Sequence, residues 1–128
     1  MNYYLSKVVN LGFDEAIARV KAELEKEGFG ILTDIDVQAT LHKKLNVPFR
    51  KYRILGACNP PLAYQALQAE RMIGTMLPCN IIVQEGMDGK TEIAAINPAT
   101  TMQTIGNSRL TDLAMQVQEK LQRILSRL

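Results

Sequence analysis

Apolar residues along this chain alternate between two spacings, every second residue and every third or fourth, and the switches mark out its elements. From Tyr3 to Asn10 the order Tyr3, Leu5, Val9 against Tyr4, Ser6, Val8 has the period of a strand. After Gly12 the period lengthens: Phe13, Ile17, Val20 and Leu24 recur at helical spacing, with Asp14 placed to cap and Gly28 placed to end the helix. Glu15 and Arg19 stand four apart in the order that favours a surface pair. From Gly30 the period returns to two, with Ile31, Thr33, Ile35 and Val37 on one side and Leu32, Asp34 and Asp36 on the other, which predicts a second strand.

Val37, Leu41 and Leu45 then predict a short helix that stops before Asn46-Val47-Pro48. A third strand is expected within Phe49 to Cys58, and Asn59-Pro60-Pro61 reads as an N-cap and first turn for a helix running to about Glu70. Met76 to Val83 reads as a largely buried strand with Pro78 at its start or in a bulge. Asp88-Gly89 is the centre of a hairpin turn leading to a fifth strand over Lys90 to Ile96. Asn97-Pro98 closes that strand, and Asn107 or Ser108 caps a final helix whose stripe is Leu110, Leu113, Ala114, Val117, Leu121, Ile124 and Leu128.

The order β-α-β-(short α)-β-α-β-β-α predicts an α+β fold with a single, mainly antiparallel sheet and its long helices packed on one face. Apolar residues such as Tyr4, Leu32, Leu55 and Ile82 on several strands leave a second face to cover, and a homodimer is the expected cover.

Composition narrows the class further. Of 128 residues, 47% are hydrophobic and 22% charged, the balance of an ordinary globular chain, so one domain over residues 1–128 is expected. The apolar runs are too short to span a bilayer and no signal peptide is recognisable, so a cytoplasmic protein without a membrane partner is expected. The two cysteines give no disulfide scaffold and read as free thiols. Net charge is +2, yet Lys43, Lys44, Arg50, Lys51 and Arg53 fall in a stretch from Val37 to Ala69 that has no acid. This basic stretch reads as a solvated loop or an anion site; nucleic acid is not expected as a partner.

No phosphate-binding loop, dinucleotide fingerprint or nucleophile elbow occurs, so no catalytic residue and no cofactor is assigned. His42 lies among lysines, and Cys58, Cys79 and His42 together fall short of the four ligands of structural zinc, so no metal site is assigned. Asp34 and Asp36 on one strand face read as solvated acids rather than a catalytic pair. The most distinctive residues are Gly56-Ala57-Cys58-Asn59-Pro60-Pro61 and Leu77-Pro78-Cys79-Asn80. Cys58 and Cys79 sit at strand ends that a short intervening helix draws together, so Cys58, Asn59, Cys79 and Asn80 are the candidate ligand-binding residues. The helix that starts after Cys58 adds positive potential, which points to a small anionic ligand. The alternative is a thiol-dependent redox or metal-binding protein using Cys58 and Cys79; the plain counter-reading is two buried, inert thiols.

Those segments, together with Glu27-Gly28-Phe29-Gly30, Asp34-Ile35-Asp36-Val37, Tyr52-Arg53-Ile54-Leu55 and Ile96-Asn97-Pro98, resemble the family called domain of unknown function 302 over nearly the whole chain. The resemblance implies a small bacterial or archaeal α+β protein, with a fold similar to that of the TATA-binding protein, often dimeric and without an established activity. Asn97 departs from the pattern, since members often carry aspartate before that proline.

Overall fold

The fold comes from a computed structural model that describes residues 2–128. Five strands, β1 (Tyr4–Val9), β2 (Gly30–Asp36), β3 (Tyr52–Cys58), β4 (Cys79–Glu85) and β5 (Thr91–Ile96), form one sheet. Their order across it is β1-β5-β4-β3-β2, and every neighbouring pair is antiparallel. The helices are α1 (Phe13–Lys26), α2 (Val37–Leu45), α3 (Pro60–Ala69), α4 (Pro98–Thr101) and α5 (Ser108–Ser126). The architecture is the α+β arrangement that the spacing predicts.

The stripes of α1 and α5 behave as amphipathic helices should. Ala16, Ile17, Val20 and Leu24 from α1 meet Leu121, Ile124 and Leu125 from α5 in one buried cluster, against Leu55, Ala57, Ile81, Val83, Ile93 and Ala95 of the sheet. A smaller cluster gathers Leu62, Ala66, Ile73, Leu110 and Leu113, and Val117 packs against both. On the other face of the sheet the register lines up Ser6, Ala94, Ile82, Ile54 and Ile35 in one cross-strand row. No helix among the described residues is long and apolar enough to cross a membrane.

Several local expectations are corrected. Ile31, Thr33 and Ile35 do not share a face: a bulge between Ile31 and Thr33 leaves Ile31 opposite Ala57 but moves Thr33 opposite Gly56, which reverses the alternation beyond it. Ile31 therefore packs with the core while Ile35 is exposed. Strand β4 begins at Cys79 rather than Met76, because Arg71–Met76 winds into a 3-10 turn. Between Asn97 and Asn107, where the spacing predicts no element, α4 and a further 3-10 turn, Met102–Ile105, are formed.

The caps are partly as expected. Asn107 Oδ1 accepts the Arg109 amide and so caps α5, and Gly28 takes the left-handed conformation just past α1 at φ +85°. Asp14 does not cap α1: Gly12 holds the N-cap position and Asp14 lies in the first turn. Arg19 leaves Glu15 and donates instead to the Arg127 carbonyl, at 3.1 Å. Across the same contact, Glu27 takes Arg123 at 3.0 Å and Arg127 at 2.9 Å, fastening the end of α1 to the end of α5.

Candidate functional site

The antiparallel register sets Ala57 opposite Cys79, so Cys58 and Cys79 lie one step apart on adjacent strands at the same end of the sheet. Both are free and half-buried. They line a cavity of about 370 Å³ between that end of the sheet, α3, α5 and the Arg71–Met76 turn. Its inner wall is the buried set Phe29, Ala57, Leu62, Ala66, Leu113 and Ala114; Leu32, Leu67 and Gly74 are exposed and form its mouth. The space exists because several positions on facing elements carry small residues, Ala63 and Ala66 on α3, Ala114 on α5 and Gly74 beyond α3, so the two buried clusters do not close against each other there.

The chemistry of the lining is apolar. No lysine, arginine, histidine, aspartate or glutamate contributes to it; Asn59 and the sulfur side chains Cys58, Cys79 and Met102 are its polar or polarisable members. Burial pushes the Cys79 thiol up to about 11, with the neighbouring Cys58 adding to the shift, so Cys79 is a neutral thiol at physiological pH.

Asn59 is engaged in structure. Its Oδ1 accepts the Leu62 amide at 3.4 Å as the N-cap of α3, and its Nδ2 donates to the Glu27 carbonyl at 3.2 Å. The start of α3 has no amide left for an anion: Pro60 and Pro61 have none, Leu62 donates to Asn59 Oδ1, and Ala63 donates to the Asn59 carbonyl at 2.9 Å. The expected anion-binding helix end is thus closed by its own cap.

Asn80 does not join the other three candidates. It is exposed on the opposite face of the sheet, in a shallow groove with Tyr4, Tyr52, Gln84 and Glu92. The strand period explains the parting, since adjacent residues of β4 point to opposite faces.

The remaining residues singled out by chemistry have other partners. Asp34 takes a two-armed contact from Arg53, with Nε to Oδ1 at 2.7 Å, and an ion pair from Lys21 at 3.2 Å; the Arg53 guanidinium first, then Lys21, holds its carboxyl below the usual range. Asp36 caps α2 by accepting the Ala39 amide at 2.9 Å. Arg50 stacks 4.5 Å over Phe49 and 5.3 Å over Tyr52, and Lys51 stands 5.8 Å over Phe13, so the basic stretch is dispersed among separate partners. His42 lines a separate depression with Val47 and Phe49. Among the described residues, no group of three or more His, Cys, Asp or Glu side chains is placed to hold a metal ion.

Sequence reasoning found the two cysteines but missed the walls of the cavity. Leu62, Leu67, Leu77 and Met102 carry no motif, and only the short side chains on α3 and α5 hint that the packing there is incomplete.

Comparison with known proteins agrees with the fold. No curated protein matches the chain. The crystal structure of an uncharacterized conserved protein, DUF302, from Bacillus stearothermophilus superimposes with a TM-score of 0.92 at 28% identity, covering 99% of this chain and 98% of that one. The family model described as domain of unknown function DUF302 matches residues 5–128, and the chain belongs to that family.

Proposed function

We propose that the protein is a binding module for a small, largely apolar molecule, held in the cavity beside Cys58 and Cys79. The observation that carries this reading is the cavity itself: about 370 Å³, open at one side and free of charged side chains in its lining. That volume is in the range that holds small organic ligands, and burying apolar ligand surface stabilises a complex by about 25 cal/mol per Å² before the costs of association are met. The small anionic ligand expected from the sequence fits less well, because the cavity has no cation and the α3 amides are spent.

A homodimer accompanies this reading. The face of the sheet away from the helices is uncovered and carries Tyr4, Ile35, Ile54, Ile82 and Ala94, with Tyr4 and Ile35 exposed. A second copy of the chain would cover it. Sedimentation at micromolar concentration is expected to give about twice the chain mass of 14.3 kDa; a monomer under those conditions removes the dimer from the proposal.

Titration with an apolar naphthylamine fluorophore tests the cavity. Saturable binding of one probe per chain is expected, and Ala63→Phe, which fills the space from α3, should weaken it at least about tenfold, or 1.4 kcal/mol. Equal binding by a folded Ala63→Phe variant, or no saturable binding by the parent, overturns the reading.

A further inference from the structure

The geometry points to a single-chain amphiphile as the molecule the cavity takes, with its alkyl chain inside, its polar head in water at the mouth, and Leu32 laid against the chain where it leaves. This rests on the reading of the cavity as a site for a small apolar molecule, and it adds the ligand's class, its orientation and a residue that helps select it.

The lining sets the orientation. No charged side chain reaches the cavity, and its one side-chain amide is spent, since Asn59 Oδ1 accepts the Leu62 amide and Nδ2 donates to the Glu27 carbonyl. A polar ligand group carried inside would give up its water and gain no strong side-chain partner in return. An alkyl chain loses nothing there, because the inner wall is Phe29, Leu62, Ala66, Leu113 and Ala114. The polar head therefore stays at the mouth, between Leu32 of β2, Leu67 of α3 and Gly74 of the Arg71–Met76 turn. A Cβ on Gly74 would stand 4.0 Å from Leu67 Cδ2, so the bare glycine keeps this rim wide.

Leu32 reaches the rim because of the bulge in β2. Ile31 pairs with Ala57 and Thr33 with Gly56, which leaves Leu32 as the extra residue, without a partner on β3. In a regular strand the residue after Ile31 would point to the opposite face of the sheet. Here Ile31 packs on the core and Leu32 lines the cavity, so two consecutive side chains serve the helix-covered side. At 65% exposure Leu32 adds little to the core, yet it sets apolar surface where the cavity meets water. A chain leaving the cavity covers that surface, and both partners lose contact with water. Re-aiming a side chain toward a site is a recurrent use of bulges.

Calorimetric titration of the full chain with straight-chain alkyl glucosides, from about four to about twelve carbons and below their micelle concentrations, tests this directly. One-to-one affinity is expected to rise about threefold to fourfold with each added CH2, then to level off once the cavity is full. Fatty-acid anions of equal chain length should bind within about threefold of the glucosides, because the head remains in water. Leu32→Ala should weaken the longest chain at least about threefold while melting like the parent, and Leu32→Met should keep the parent affinity. Four results overturn the proposal: no saturable binding of any chain, affinity independent of chain length, a preference of about tenfold or more for one head group, or parent affinity in Leu32→Ala. The naphthylamine fluorophore separates the two readings. Fluorophore bound with no chain bound leaves the apolar-molecule reading standing and removes the amphiphile, whereas one-for-one displacement of the fluorophore by the chains places both in the same cavity.

Discussion

Thr33 lies directly over Gly56, with its Oγ1 in the space that a Cβ on Gly56 would occupy. The same Cβ would also stand 2.8 Å from Pro78 Cγ, so β2 and the segment leading into β4 both depend on the absent side chain. Gly56→Ala should therefore destabilise the protein by about 1–3 kcal/mol through overpacking. Urea denaturation measures it, and pairing the change with Thr33→Ala should recover part of the loss. A Gly56→Ala protein as stable as the parent would show that the strands yield without cost.

Asn59→Ala separates a cap from a ligand contact. Loss of the bond to the Leu62 amide and of the donation to the Glu27 carbonyl should cost about 1–2 kcal/mol. Apolar probe affinity should change by less than about twofold, or 0.4 kcal/mol, because the amide's polar atoms already have partners. A selective loss of probe binding at unchanged stability would place Asn59 among the ligand contacts instead.

Acid should loosen the junction of α1 and α5. Hydrogen bonds from Arg123, followed by those from Arg127, outweigh burial and hold the Glu27 carboxyl at about 2 rather than 4.5. Glu23 and Asp34 are lowered in the same direction, Glu23 chiefly by its hydrogen bond with Lys26 and Asp34 by that with Arg53. A folded-state pKa below the unfolded one means that the stabilisation is complete above about pH 4.5 and is lost as pH falls through about 2. Denaturation midpoints between pH 7 and pH 2 should fall on that limb, and Glu27→Gln should flatten the fall. An unchanged slope in Glu27→Gln would rule this carboxylate out as the source.

Alkylation should find Cys79 slow at neutral pH and faster as the pH approaches about 11, the value to which burial and the neighbouring Cys58 push its thiol. Peptide mass spectrometry after timed iodoacetamide labelling follows this residue by itself. A midpoint near 8.5 for Cys79 would mean that its surroundings are far wetter than the cavity walls suggest.

What the sequence disclosed follows from which forces act locally. The stripes on α1 and α5 were legible because helical spacing and burial agree at Ile17, Val20, Leu24, Leu121 and Ile124. Asn59 was legible as a cap because Pro60 and Pro61 mark a first turn. The faces of β2 were not, since one extra residue at the Ile31 to Thr33 bulge inverts the alternation without any change in residue type. Cys58 and Cys79 were placed at one end of the sheet from the shortness of the intervening helix, whereas the parting of Cys79 from Asn80 required the register. The cavity was invisible because it is a gap left by distant elements, and Leu62, Leu77 and Met102 read along the chain as ordinary core.

The sheet order leaves β1 and β2 as its two outer strands, each with one row of backbone groups unpaired within the sheet. Both carry features that oppose fibrillar pairing with another copy. On β2 the bulge interrupts the regular row of donors and acceptors, and Asp34 and Asp36 set two carboxyl groups along the same short strand. On β1, Lys7 brings a charge into the middle of a six-residue strand. A chain with an uncovered apolar sheet face thereby carries, on both outer strands, features that oppose growth edge to edge into aggregates.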